Sequence, residues 1–120
     1  MDTLKKNVIV DLSFQFALKI IEYAELLEEK KKYVLARQII KSGTSIGANI
    51  REAQNAESLN DFIHKMKIAA KEADETEYWL LIAQHSKSYL NPDGLILQCT
   101  DLSKILSKII SSSKLKLRSQ

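Results

Sequence analysis

Two histidines, one cysteine and a Ser-Gly-Thr-Ser run are the residues whose types invite catalysis or ligand binding. A di-iron site inside a four-helix bundle needs a Glu-x-x-His motif on two helices and a further Glu on each of the others. Asp61-x-x-His64 is the nearest approach to that pattern, and it has no second copy. His64 and His85 fall on one helical segment, roughly 30 Å apart at 1.5 Å per residue, so they cannot share an ion within one subunit. Both read as solvated or half-buried side chains. Cys99 has no histidine placed by spacing to activate it, and it sits where a free cysteine serves as a small apolar filler. Ser42-Gly43-Thr44-Ser45 suggests a phosphate cradle, but a Walker loop needs a preceding strand and a Gly-Lys-Ser/Thr close. Gly43-x-x-x-Gly47 reads better as a notch where two helices approach. No enzyme chemistry, metal or cofactor is expected.

Positive charge is the stronger signal. The chain has 18 Lys and Arg against 15 Asp and Glu, a formal net charge of +3. The excess is uneven: residues 1–57 hold nine basic and eight acidic residues, 58–88 four and five, and 89–120 five and two. Lys104 and Lys108 form an i, i+4 pair, and Lys114, Lys116 and Arg118 follow with no acid after Asp101. Arg37, Lys41 and Arg51 share one face of an earlier helix with Thr44 and Ala48. Such patches can track phosphates, and no aromatics are interleaved with them to stack on bases. The competing reading is a solvated helix end whose cations complement its own dipole.

The elements that must position these residues are helical. The first segment, about 7–30, carries a wide apolar face with Phe14, Phe16, Leu18, Ile20, Ile21, Tyr23, Ala24 and Leu27. Asp11 is a plausible N-cap for its second half, with an earlier start near Asn7. The second, 34–57, turns Ile39, Ile46 and Ile50 inward. The third, 59–88, opens on a capping-box variant, Ser58 with Asp61. Its steps of four and three through Phe62, Met66, Ala69, Ala73, Thr76, Leu80 and Ala83 make a heptad seam. Asn91-Pro92-Asp93-Gly94 is the strongest break, and Asn91 or Asp93 can cap the next helix. The fourth, 93–112, repeats the seam with Leu95, Cys99, Leu102, Leu106 and Ile109. Serines 111–113 are expected to let it fray into a basic tail, 113–120.

Hydrophobic residues make 45% of the 120 and charged ones 28%, a globular balance that argues against disorder. Three Gly and one Pro are too few turns for a β-sandwich or barrel. One Cys rules out a disulfide scaffold within the chain, and no apolar run approaches the roughly 20 residues that span a bilayer. Met1 to Asp11 is polar rather than a signal peptide's apolar core. The expectation is an all-α, cytoplasmic, single domain over 1–120, an up-down-up-down antiparallel four-helix bundle.

The run Arg37 to Ala53, RQIIKSGTSIGANIREA, resembles the signature of the 23S rRNA intervening-sequence protein family. Arg37, Ser42, Ser45, Ile46, Asn49, Ile50 and Glu52 carry the match. Asp61-Phe62-Ile63, Ala69 to Ala73 and Glu75 to Leu80 on the third helix extend it, so the similarity covers nearly the whole chain. Arg51 departs from the family's usual Ala, and Ala53 follows Glu52 where Gly is common soon after. The resemblance implies a small bacterial four-helix bundle that assembles into a ring-like homopentamer. It also implies kinship with the accessory variability determinant of diversity-generating retroelements, a bundle that binds nucleic acid.

Two roles follow for the polar motif of the second and third helices. Asn49, Arg37, Glu52, Glu72 and Glu75 either pair between helices or subunits to fix register, since buried polar groups must be satisfied, or line a ligand groove. The first reading is favoured. Self-association is expected because Phe14 and Phe16 point to different sides of the first helix, and Tyr78, Trp79 and Leu81 broaden the third beyond its seam. The partners expected are further copies of the chain and RNA or DNA, with no membrane. A structural or protein-binding oligomer is the rival.

Overall fold

The computed structural model describes residues 7–120, so the polar stretch from Met1 to Lys6 lies outside the described residues. Four helices account for most of what is described: α1 (Val8–Glu29), α2 (Tyr33–Ala53), α3 (Leu59–His85) and α4 (Asp93–Arg118). Each packs on its sequence neighbour, and α4 returns to close more sparsely on α1. Short connections force neighbours antiparallel, which makes the up-down-up-down bundle. α2 and α4 therefore stand on opposite corners.

Helix ends follow local hydrogen bonding. Asn7, not Asp11, is the N-cap of α1: its side chain accepts from the Val10 N–H at 3.4 Å, while Asp11 lies in the first turn. The α1–α2 turn places Lys31 in the left-handed region (φ 62°). There the Lys32 N–H donates back to the Leu27 carbonyl at 2.8 Å and satisfies an orphan acceptor of the helix end. α2 stops at Ala53, four residues short of the expected end. Ser58 is extended and accepts from the Asp61 N–H (3.0 Å), while Asp61 accepts from the Glu57 N–H (3.1 Å). Those two bonds commit 57–58 to the next helix's cap. α3 ends at His85, not 88, where the Ser86 hydroxyl donates to the Ile82 carbonyl at 2.7 Å and its backbone turns extended. The N-cap of α4 is Pro92, and Asn91 serves it from one position earlier by accepting from the Asp93 N–H at 2.9 Å.

The largest correction is at the other end of α4. The helix runs unbroken through serines 111–113 to Arg118. Serine costs only a few tenths of a kcal/mol relative to good helix formers, no Gly or Pro follows Gly94, and Lys116 and Arg118 suit a helix C-terminus. The basic tail is thus the last two turns of a rigid helix.

The core contains Ile39, Ile46 and Ile50 of α2, the α3 seam from Met66 to Ala83, and Cys99, Leu102 and Leu106 of α4. At the start of α3 the buried residue is Ile63, with Phe62 half-buried, because a 3.6-residue helix drifts away from a strict heptad. Phe16 is likewise core rather than surface, so Phe14 alone of the two faces outward. Gly43 lets α1 and α2 approach until an added Cβ would lie 2.8 Å from Ile20 Cγ2. Between α2 and α3 the buried Thr76 hydroxyl lies 2.9 Å from Ser42 Oγ, and Ser42 donates to the Gln38 carbonyl at 3.1 Å. Tyr23 donates to the Leu90 carbonyl at 2.6 Å, tying α1 to the α3–α4 connection. Burial, with Tyr89 nearby, pushes that phenol up to about 12.

Candidate nucleic-acid interface

Cys99 is enclosed between α3 and α4, with its Sγ 3.3 Å from the Ala73 carbonyl oxygen. Burial, reinforced by the Glu77 and Asp74 carboxylates, pushes the thiol up to about 12, so it stays protonated and packs as a small apolar group. His64 and His85 are both exposed. Among the described residues, no cluster of three or more His, Cys, Asp or Glu side chains is placed to hold a metal ion.

The signature motif of α2 divides into an inner and an outer half. Ser42, Ile46 and Ile50 are buried, Ser45 and Asn49 are half-buried, and Glu52 is exposed. The polar members bond mostly within their own helix: Ser45 Oγ donates to the Lys41 carbonyl at 2.6 Å and Asn49 Nδ2 to the Ser45 carbonyl at 2.8 Å. Among the described residues Asn49 makes no inter-helix hydrogen bond; Ser42 and Thr76 form one. Gly43 and Gly47 supply the close approach: an added Cβ at Gly47 would sit 3.3 Å from Ser13 Oγ.

On the outer half, Arg37, Lys41, Ala48 and Arg51 are exposed, with Thr44 half-buried. These cations have acidic company. Burial and the Glu75 carboxylate push Glu72 above its ordinary value, while Lys41 and Lys71 beside it pull the other way. Glu75 accepts from the Trp79 indole N–H at 3.3 Å. Arg51 edges a groove that it shares with Asn7, Val10, Asp11 and Phe14. The α2 patch is therefore a mixed-charge surface.

α4 is different. Lys104, Lys108, Lys114, Lys116 and Arg118 are all exposed on one continuous helix. At 100° per residue, Lys104, Lys108 and Arg118 fall on one outward stripe, Lys114 lies on the α3 side, and Lys116 lies on the opposite flank. Lys108 and Lys116 border an open groove of about 600 Å³ whose apolar lining includes Leu59, Phe62, Ile105 and Ile109. The neighbouring Lys67 ammonium, with Arg118 contributing, holds Lys114 below its ordinary value. Lys67 of α3, exposed, extends the patch across the seam, and Lys71 follows one turn further along, beside Glu72. Sequence reasoning missed these two, although their i, i+4 spacing and the absence of any acid from Phe62 to Lys71 were legible. Because α2 and α4 occupy opposite corners, the two predicted patches face away from each other and cannot grip one ligand within a subunit.

An antiparallel four-helix bundle with one cationic flank is the class of protein these features define. The sequence matches the profile of the 23S rRNA-intervening sequence protein over residues 5–110, and the chain belongs to that family. It is similar to the solved structure of a protein of unknown function from the S23 ribosomal protein family of Bacteroides thetaiotaomicron. The two are 43% identical with a TM-score of 0.81, over 85% of this chain and 97% of that one. Comparison with curated proteins gives no match.

Proposed function

We propose that this protein is a non-enzymatic, cytoplasmic homo-oligomer that binds nucleic acid without sequence preference through the Lys and Arg side chains of α4 and the adjoining edge of α3. The observation that carries the reading is the one-signed end of the bundle: from Leu102 to Gln120 there are five bases and no acid, on a helix that stays ordered to Arg118. The helix already holds the backbone of this row of cations in order, so no backbone has to fold on meeting a phosphate chain, and each neutralised phosphate releases condensed counterions. Anisotropy of labelled RNA and DNA should show binding at about 50 mM salt that weakens by orders of magnitude towards 200 mM. No binding at the low-salt end would sink the reading and leave the protein-partner oligomer in its place.

Self-association rests on a separate surface. Phe14, Leu18 and Ile21, at i, i+4 and i+7 on α1, are 54, 43 and 37% exposed, an apolar stripe that the other described residues leave uncovered. Covering it with further copies would remove it from water at about 25 cal/mol per Å², and a ring would multiply the +3 charge of each subunit. Sedimentation equilibrium should return several times 13.6 kDa, and close to five times if the assembly is the pentamer. A monomer at micromolar concentration would end this part of the proposal.

A further inference from the structure

Two contacts set how α4 lies along α3. Cys99 Sγ meets the Ala73 carbonyl at 3.3 Å, and the Thr100 hydroxyl donates to Glu77 Oε2 at 3.1 Å. Towards the start of α3 and the end of α4, the facing positions become basic. Helical side chains lean towards their own N-terminus, so in an antiparallel pair Lys67 of α3 and Lys114 of α4 lean towards each other. The register fixed by those two contacts brings the two ammoniums towards one another, with Arg118 one turn further along α4. Among the described residues neither ammonium forms an ion pair; the α3 base that does is Lys65, with Asp61 at 3.1 Å, on the other flank. Converging like charges repel, and an anion seated between them relieves that repulsion.

Aromatic rings say what kind of anion. Proteins that bind unpaired strands combine cations with rings on which bases stack. Along this face of α3 the exposed ring is Tyr78, about 16 Å from Lys67 by helical rise, and Asp74 stands between them. It is packed edge-on against Trp79, with ring centroids 5.2 Å apart. Binding at the seam therefore depends on phosphate density, and a duplex carries one charge per roughly 1.7 Å of axis against 3.4 Å for a single strand.

We infer that Lys67, Lys114 and Arg118 form a two-helix phosphate clamp whose ligand is the backbone of a nucleic-acid duplex rather than an unpaired strand. The inference rests on the nucleic-acid reading above and narrows it. The test titrates the full chain into a labelled duplex and into either of its strands alone, with RNA and DNA arms, at low salt. The duplex should bind on the order of tenfold more tightly, with the gap closing as salt rises. Lys67→Gln should weaken duplex binding several-fold and reduce the salt slope by about one, while Tyr78→Ala leaves it unchanged. Equal or tighter binding of the single strand, a loss on Tyr78→Ala, or a Lys67→Gln protein indistinguishable from the parent overturns the clamp and leaves the broader reading standing. Failure of every nucleic acid to bind removes both.

Discussion

Replacing Lys104, Lys108, Lys114, Lys116 and Arg118 together by Gln should cost at least about a hundredfold in nucleic-acid affinity at 50 mM salt. The salt slope should flatten by roughly one for each phosphate that no longer meets a cation. All five side chains are exposed, and glutamine is as good a helix former as lysine or arginine. Far-ultraviolet circular dichroism and the sedimentation mass should therefore stay at their parental values. The parallel variant with Arg37, Lys41 and Arg51 changed to Gln should lose much less, because that patch lies among Glu72, Glu75 and Asp11 on the opposite corner of the bundle. If the α2 variant loses as much as the α4 variant, the one-signed flank is not what selects the ligand.

Valine at position 43 should destabilise the bundle by roughly 1–3 kcal/mol. A Cβ there would stand 2.8 and 2.9 Å from the two γ-carbons of Ile20, and Ile20 is fully buried in the core. Ile20 cannot swing aside, since a β-branched side chain in a helix is held to one χ1 rotamer. The two helices must separate instead, and overpacking of this kind costs about 1–3 kcal/mol or more, against a propensity gain below about 1 kcal/mol for losing glycine. Thermal unfolding followed at 222 nm should shift down by about 10 °C for a chain of this size. Gly94→Ala supplies the contrast: nothing lies within 4 Å of its added Cβ, so it should be neutral or stabilise by up to about 1 kcal/mol. Parental melting of the Gly43→Val protein would show that the notch is not tight.

Periodicity alone determined the bundle. A stripe of Ile, Leu and Ala every three or four residues can be buried only against other helices, and short polar breaks force those helices antiparallel, so the α3 seam was legible from Met66 to Ala83. The family was legible too, since Ser42, Ser45, Ile46, Asn49 and Ile50 combine buried apolar positions with small polar ones in an order that few other demands produce. What the linear chain could not decide were choices settled by small energies or by contacts distant in sequence. Serines 111–113 lower helicity too little to stop a helix, so only the folded chain shows α4 reaching Arg118. Phe14 and Phe16 are the same residue two positions apart, about 200° around a helix, and the packing of Ile20 against Gly43 decides which of them is core. Lys67 and Lys114 are 47 residues apart in sequence. They become one cationic seam only because antiparallel packing tilts two long side chains towards each other, which no spacing rule within one helix can reveal.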